Sequence, residues 1–273
     1  MSKRNSQANK SAARERLREE RERQAKKDRA RRQLLVGVSV VAAIAVVGGI
    51  AYGVKKLNEP DHWDQAKDAK NVTAPKNTSG TNGTTVVFGK STAKKTLELY
   101  EDSRCPICAS FEQTVGETVH KDIDAGKYKV KYIGATFIDG DKSSNGEGSK
   151  NALSALGAAL DVSPEAFLDY KYALYSAKYH PQETEDKFKD DSYLIKVADT
   201  VDALKGNAAF QKNVKDGKFD AWAMKMSAAF SDSGVEGTPT LKMDGKTLTG
   251  SDNKNAPMTV ADFNTAITAA LKG

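Results

Sequence analysis

LELYEDSRCPICASFE, residues 97–112, changes its period halfway along. Leu97 and Leu99 alternate with Glu98 and Tyr100, the two-residue repeat of a strand. From the cysteines onward Ile107, Phe111, Val115 and Val119 recur at every fourth position, one face of a helix. Pro106 falls where a helix begins, a position whose N–H has no partner in any case. The stretch predicts a strand running into a helix, with the only two cysteines of the chain, Cys105 and Cys108, at the junction.

A bond between residues three apart closes a tiny loop and removes little unfolded-chain entropy, so a structural staple is a poor reading. A metal centre needs about four thiolate or imidazole ligands. There is no second cysteine pair, and His62, His120 and His180 lie far apart in unlike settings. No metal and no cofactor is therefore expected. A reactive dithiol accounts for every feature. At the start of a helix, unpaired N–H groups and the positive end of the macrodipole favour a thiolate over a thiol whose free pKa is about 8.5. Cys108 follows one turn later, on the same side and within disulfide reach. Cys105 would be the sulfur that attacks or is attacked, and Cys108 the one that resolves the mixed disulfide.

Working outward, strands are expected at 84–90, 95–102 and 128–138. Residues from about 144 to 232 read as helical segments separated by Gly, Pro and Asp/Asn breaks. VEGTPTLKMDGKTLTG, 235–250, reads as a hairpin turning at Asp244-Gly245, and a last helix starts at Thr259 with Phe263, Ile267 and Leu271 on one face. The order is strand, strand, helix, strand, helical block, hairpin, helix. This is an α/β layout with a mixed sheet and a helical insertion over about 140–233.

The basic character of the chain is local. Residues 1–33 hold 13 Lys/Arg against five acids, a head of +8, so the formal total of +6 leaves the remainder at −2. A nearly neutral main domain argues against nucleic-acid binding. Leu34 to Val54 is a run of 21 residues without a charge. A helix of that length spans about 30 Å, the thickness of a bilayer's hydrocarbon core. A cleaved signal peptide is the rival reading, but its apolar region would be too long and its positive head too extended. The expected order is a cytoplasmic head at 1–33, an anchor in membrane lipid at 34–54, a polar linker at 55–83 and the main domain at 84–273. The positive head places that domain outside the cytoplasm, where thiol oxidation is the expected chemistry.

The strand-loop carrying Cys105-Pro106-Ile107-Cys108, followed about 130 residues later by Gly237-Thr238-Pro239-Thr240 before a hairpin, resembles the thioredoxin-fold family. It is most similar to the membrane-tethered, DsbA-like disulfide oxidoreductases of Gram-positive bacteria. The resemblance covers roughly 84–273. It implies a cis-proline at Pro239 facing the cysteines, and a Thr238 main chain offered to an extended client segment. It also implies secreted or surface protein thiols as clients, and a quinone-linked membrane oxidase as redox partner. Pro106 and Ile107 would tune the pair. Strongly oxidising relatives often carry His or Tyr where Ile107 stands, and many have an acid where Leu99 stands. Glu98 is one residue away from that position, and its role stays open. The expected activity is oxidation of client thiols; a membrane-tethered reductase or isomerase and a non-catalytic peptide binder are the alternatives.

Overall fold

The computed structural model describes residues 61–272; the expected head, the anchor and the first residues of the linker lie outside them. Among the described residues no helix is long and apolar enough to cross a membrane.

A five-stranded sheet in the order β1-β3-β2-β4-β5 organises the domain. Its strands are β1 (Val86–Phe88), β2 (Thr96–Asp102), β3 (Lys129–Ala135), β4 (Thr240–Met243) and β5 (Lys246–Thr247). β2 and β3 are parallel, with Leu99 opposite Tyr132, and the other pairs are antiparallel. A parallel pair needs a crossover. Here it is α1 (Pro106–Phe111), a wide π turn (Glu112–Gly116) and α2 (Glu117–Ala125) in one continuous run.

The helical insertion comprises α3 (Gly148–Val162), α4 (Pro164–Tyr175), α5 (Asp191–Ala198), α6 (Ala208–Lys215) and α7 (Asp220–Asp232); α8 (Val260–Lys272) closes the chain. Phe167 of α4 packs on Phe88 and Tyr132 at ring distances of 4.9 and 5.1 Å, covering one face of the sheet. Phe230 of α7 meets Tyr100 on the other face at 6.2 Å. Phe263 of α8 reaches Phe111 at 6.2 Å and so pins the crossover helix from outside. The expected mixed α/β sheet with its insertion is what the chain adopts.

Several expectations need correcting. Ile107 is 57% exposed and does not share the buried stripe of Phe111, Val115 and Val119. A spacing of four overshoots a 3.6-residue turn, so the stripe drifts around the helix. The third strand stops at Ala135, and Phe137–Gly140 forms a tight turn instead. The Asp244-Gly245 hairpin turn is present, with positive φ of 51° and 76°. α6 was not expected as a helix of its own.

The expected linker does not extend through residues 61–83. A short helix, His62–Lys67, buries Trp63. His62 Nε2 lies 2.6 Å from Asp220 Oδ2, and Lys225 Nζ donates to the Lys67 carbonyl at 2.7 Å. Trp222 Nε1 donates to the Gly83 carbonyl at 2.8 Å. The segment is held by one buried ring and a few hydrogen bonds rather than by an apolar face, which is why it shows no period. Trp63→Ala should lower the unfolding free energy by about 3 kcal/mol in urea titration; a loss under about 0.5 kcal/mol would mean a loose tether.

Candidate active site

Cys105 caps α1. Its φ/ψ of −69°/117° is extended, and its sulfur accepts the Cys108 N–H at 3.4 Å. The Thr238 carbonyl stands 3.5 Å from the same sulfur, and the Thr238–Pro239 peptide is cis. The two motifs are thus brought together as the resemblance implied. Both cysteines are free thiols. Cys105 keeps 6% exposure and Cys108 none, so the outer sulfur is more recessed than expected but is still the accessible one. Together with Ala109, Ile138 and Tyr175 they form a small apolar cluster apart from the main core.

The two sulfurs differ in acidity. The Cys108 thiol hydrogen-bonded to it, and the Cys108 and Ile107 main chain, lower Cys105 to about 6 against the opposing effect of burial. Burial first, then the Cys105 sulfur and Glu101, push Cys108 well above the usual thiol range. At neutral pH one sulfur is a thiolate and the other holds its proton.

The loop that presents Cys105 is clamped from several sides. Asp102 accepts the Arg104 N–H at 3.0 Å, the Ser149 hydroxyl at 2.6 Å and the Ile138 N–H at 3.2 Å. Burial lifts its pKa to about 7. Arg104 is 1% exposed; its guanidinium donates to Asp139 at 2.8 Å and to the Ser144 and Glu183 carbonyls at 2.7 Å each. Tyr175 donates to the Asp102 carbonyl at 3.0 Å. His180 sits 3.1 Å from the Ser103 carbonyl, and burial lowers it to about 4. It is therefore neutral, and the ring nitrogen donates. The insertion supplies most of these partners and so holds the cysteine loop in place.

Beneath the cysteines lie charges that sequence reasoning missed. Lys171 of α4 reaches Glu101 at 3.0 Å and Glu112 at 2.6 Å, all three buried. Burial first raises Glu101 to about 7, with Lys171 opposing. Glu98 instead pairs with Lys131 at 3.1 Å and accepts from Tyr100 at 3.1 Å near the sheet surface, so it is a solvated strand residue. The inward alternation of Leu97, Leu99 and Glu101 was the available signal.

Pro106 occupies the first turn of α1, and the exposed Ile107 lines an open groove of about 500 Å³ with Thr238, Pro239 and Met258. No cluster of metal-ligating side chains occurs among the described residues.

A helix-capping dithiol beside a cis-proline loop defines a thioredoxin-type redox site. The family model described as Thioredoxin matches residues 81–269, and the chain belongs to that family. It is similar to the disulfide bond oxidoreductase DsbG of Mycobacterium tuberculosis, in its reduced form, with 26% identity and a TM-score of 0.57 over 69% of this chain and 88% of that one. Disulfide bond formation protein D of Bacillus subtilis is 24% identical over 59% of this chain and 68% of its own length. Serine/threonine-protein kinase PknE of Mycobacterium tuberculosis is 24% identical over 43% of this chain, a match that spans only 21% of the kinase. The resemblance to DsbA-like oxidoreductases holds.

With this geometry, iodoacetamide at pH 7 should label Cys105 and spare Cys108 in the folded protein. Peptide mapping that finds Cys108 labelled faster would reverse the two roles.

Proposed function

We propose that this protein is an extracytoplasmic thiol-disulfide oxidoreductase that oxidises secreted or cell-surface protein thiols through Cys105 and Cys108. The observation that carries this reading is the Cys105 sulfur capping α1 beside the cis Thr238–Pro239 bond, with Cys108 buried one turn inside. In the oxidised pair, a client thiolate attacks the Cys105 sulfur and the Cys105–Cys108 bond breaks. The Cys108 sulfur leaves with the electron pair and takes up a proton. A second client thiolate then attacks the client sulfur of the mixed disulfide and releases Cys105 as a thiolate. The client has lost two electrons and the enzyme has gained them.

The acidity of Cys105 gives the direction. With a pKa of about 6, it is ionised about ten to one at pH 7. That stabilises the reduced pair by about 1.4 kcal/mol, or about 30 mV in a two-electron couple. The Ile107 side chain adds no hydrogen bond to the thiolate beyond that of its main chain, which keeps the pair short of the strongest oxidants. The groove beside Cys105 has room for an extended client segment, with the Thr238 carbonyl at its edge and Ile107 as an apolar wall. The +8 head and the uncharged run of 21 residues support a single-pass anchor in membrane lipid, with the head cytoplasmic and the domain outside. A quinone-linked membrane oxidase fits as the acceptor that restores the disulfide.

The reduction potential, measured in glutathione buffers, should fall between thioredoxin's roughly −270 mV and DsbA's roughly −120 mV, nearer the second. Ile107→His should raise it, and the protein should oxidise a reduced, unfolded secreted substrate. A potential at or below thioredoxin's would make the protein a reductase instead.

A further inference from the structure

Among the described residues, four buried polar atoms of β2, β3 and the crossover helix have no hydrogen-bond partner: Glu101 Oε1, Glu112 Oε1, His120 Nε2 and Tyr132 OH. Buried polar atoms are rarely left so, and several together point to a shared partner. Glu112, His120, Tyr132 and Lys171 line one cavity of about 10 Å³, the scale of a single water. His120 Nε2 is 3.8 Å from Glu112 Oε1, too long for a hydrogen bond and suited to a bridging water. The backbone makes room for this arrangement. Glu112 opens the π turn, and a Cβ at Gly116 would come within 2.8 Å of its carboxyl carbon.

The cluster also holds an odd charge. Glu101 and Glu112 carry two negative charges against the one positive charge of Lys171, and one proton neutralises the difference. It is a proton store beside a sulfur that must gain or lose a proton in every turnover. That sulfur is fully buried, and a bound client would cover the Cys105 side. His120 keeps a quarter of its side chain exposed and lies twelve residues further along the helix, about 18 Å away.

We propose that His120, acting through one water and Glu112, is the port by which this cluster exchanges its proton with solvent. The proposal rests on the disulfide-exchange reading above. When the Cys105–Cys108 bond breaks, the departing Cys108 thiolate takes a proton from Glu101. Lys171 passes a proton to Glu101. Glu112, an anion at the start, receives one from solvent through the water and His120 and hands it to Lys171, so one solvent proton ends on the Cys108 sulfur. The electron pair comes from the client thiolate. Reoxidation runs the same path outward.

The groups around His120 suit a neutral relay. Burial lowers its pKa and Lys171 adds to this, while Glu112, Asp169 and Asp124 oppose it. The Tyr172 ring flanks it at 6.1 Å.

The test uses the full chain in detergent. Oxidised protein is mixed rapidly with a reduced cysteine peptide, and acid-quenched mixed disulfide and products are followed by mass. His120→Ala should slow the exchange about tenfold or more without moving the reduction potential, and added imidazole should restore the rate. Glu112→Gln removes the odd charge, so an inflection of the rate near pH 7 should move to lower pH. An unchanged rate in His120→Ala overturns the port. So does a loss that imidazole fails to restore in a variant with the parent's melting temperature, or an unmoved inflection in Glu112→Gln. If the unaltered protein shows no exchange at all, the oxidoreductase reading falls and this inference falls with it.

Discussion

The Cys108 N–H directed at the Cys105 sulfur, at 3.4 Å, is the contact on which the rest of the site depends. It exists because the chain leaves β2 and enters α1 at that sulfur, turning an unpaired helix N–H into a thiolate partner. The same helix start hides Cys108 one turn inside, where ionisation is penalised. A single local geometry therefore produces two opposite acidities from two chemically identical side chains. The cis-proline loop adds the Thr238 carbonyl at the outer sulfur, and an open groove lined by Ile107, Thr238 and Pro239 lies beside it.

That geometry is maintained at a distance. Arg104, next to the reactive sulfur, is buried against Asp139 and two carbonyls, all contributed by residues beyond β3. Two of the three guanidinium nitrogens are paired in this way, and removing one partner of such a buried pair typically costs about 3–5 kcal/mol. The insertion is thus a clamp on the cysteine loop, in addition to being a cover for the sheet. The Glu101–Lys171–Glu112 cluster ties the same insertion to the strand and helix that flank the cysteines.

The strand-helix junction, the two cysteines and the Thr238-Pro239 loop could be read from the sequence because each is encoded by neighbouring residues. The change from a two-residue to a four-residue period marks the junction, and Pro106 marks the helix start. Partners far along the chain left no local trace. Arg104 meets Asp139 across 35 residues, and Lys171 meets Glu101 across 70. Glu101 was nonetheless visible as the inward continuation of Leu97 and Leu99, whereas Glu98 drew attention by lying close to a position familiar from relatives. Residues 61–83 read as a linker because Trp63 and the Trp222 hydrogen bond anchor them singly, without periodicity. Ile107 shares a four-residue spacing with Phe111, Val115 and Val119 but not their burial, because the helix has rotated it outward at its first turn.

The thiolate of Cys105 absorbs near 240 nm, so an absorbance titration of the reduced protein, with Cys105→Ser as the blank, tests this account most directly. The account predicts a single ionisation at about pH 6 that vanishes in the blank. A first ionisation near the free-thiol value of about 8.5, or one that persists in Cys105→Ser, would contradict it.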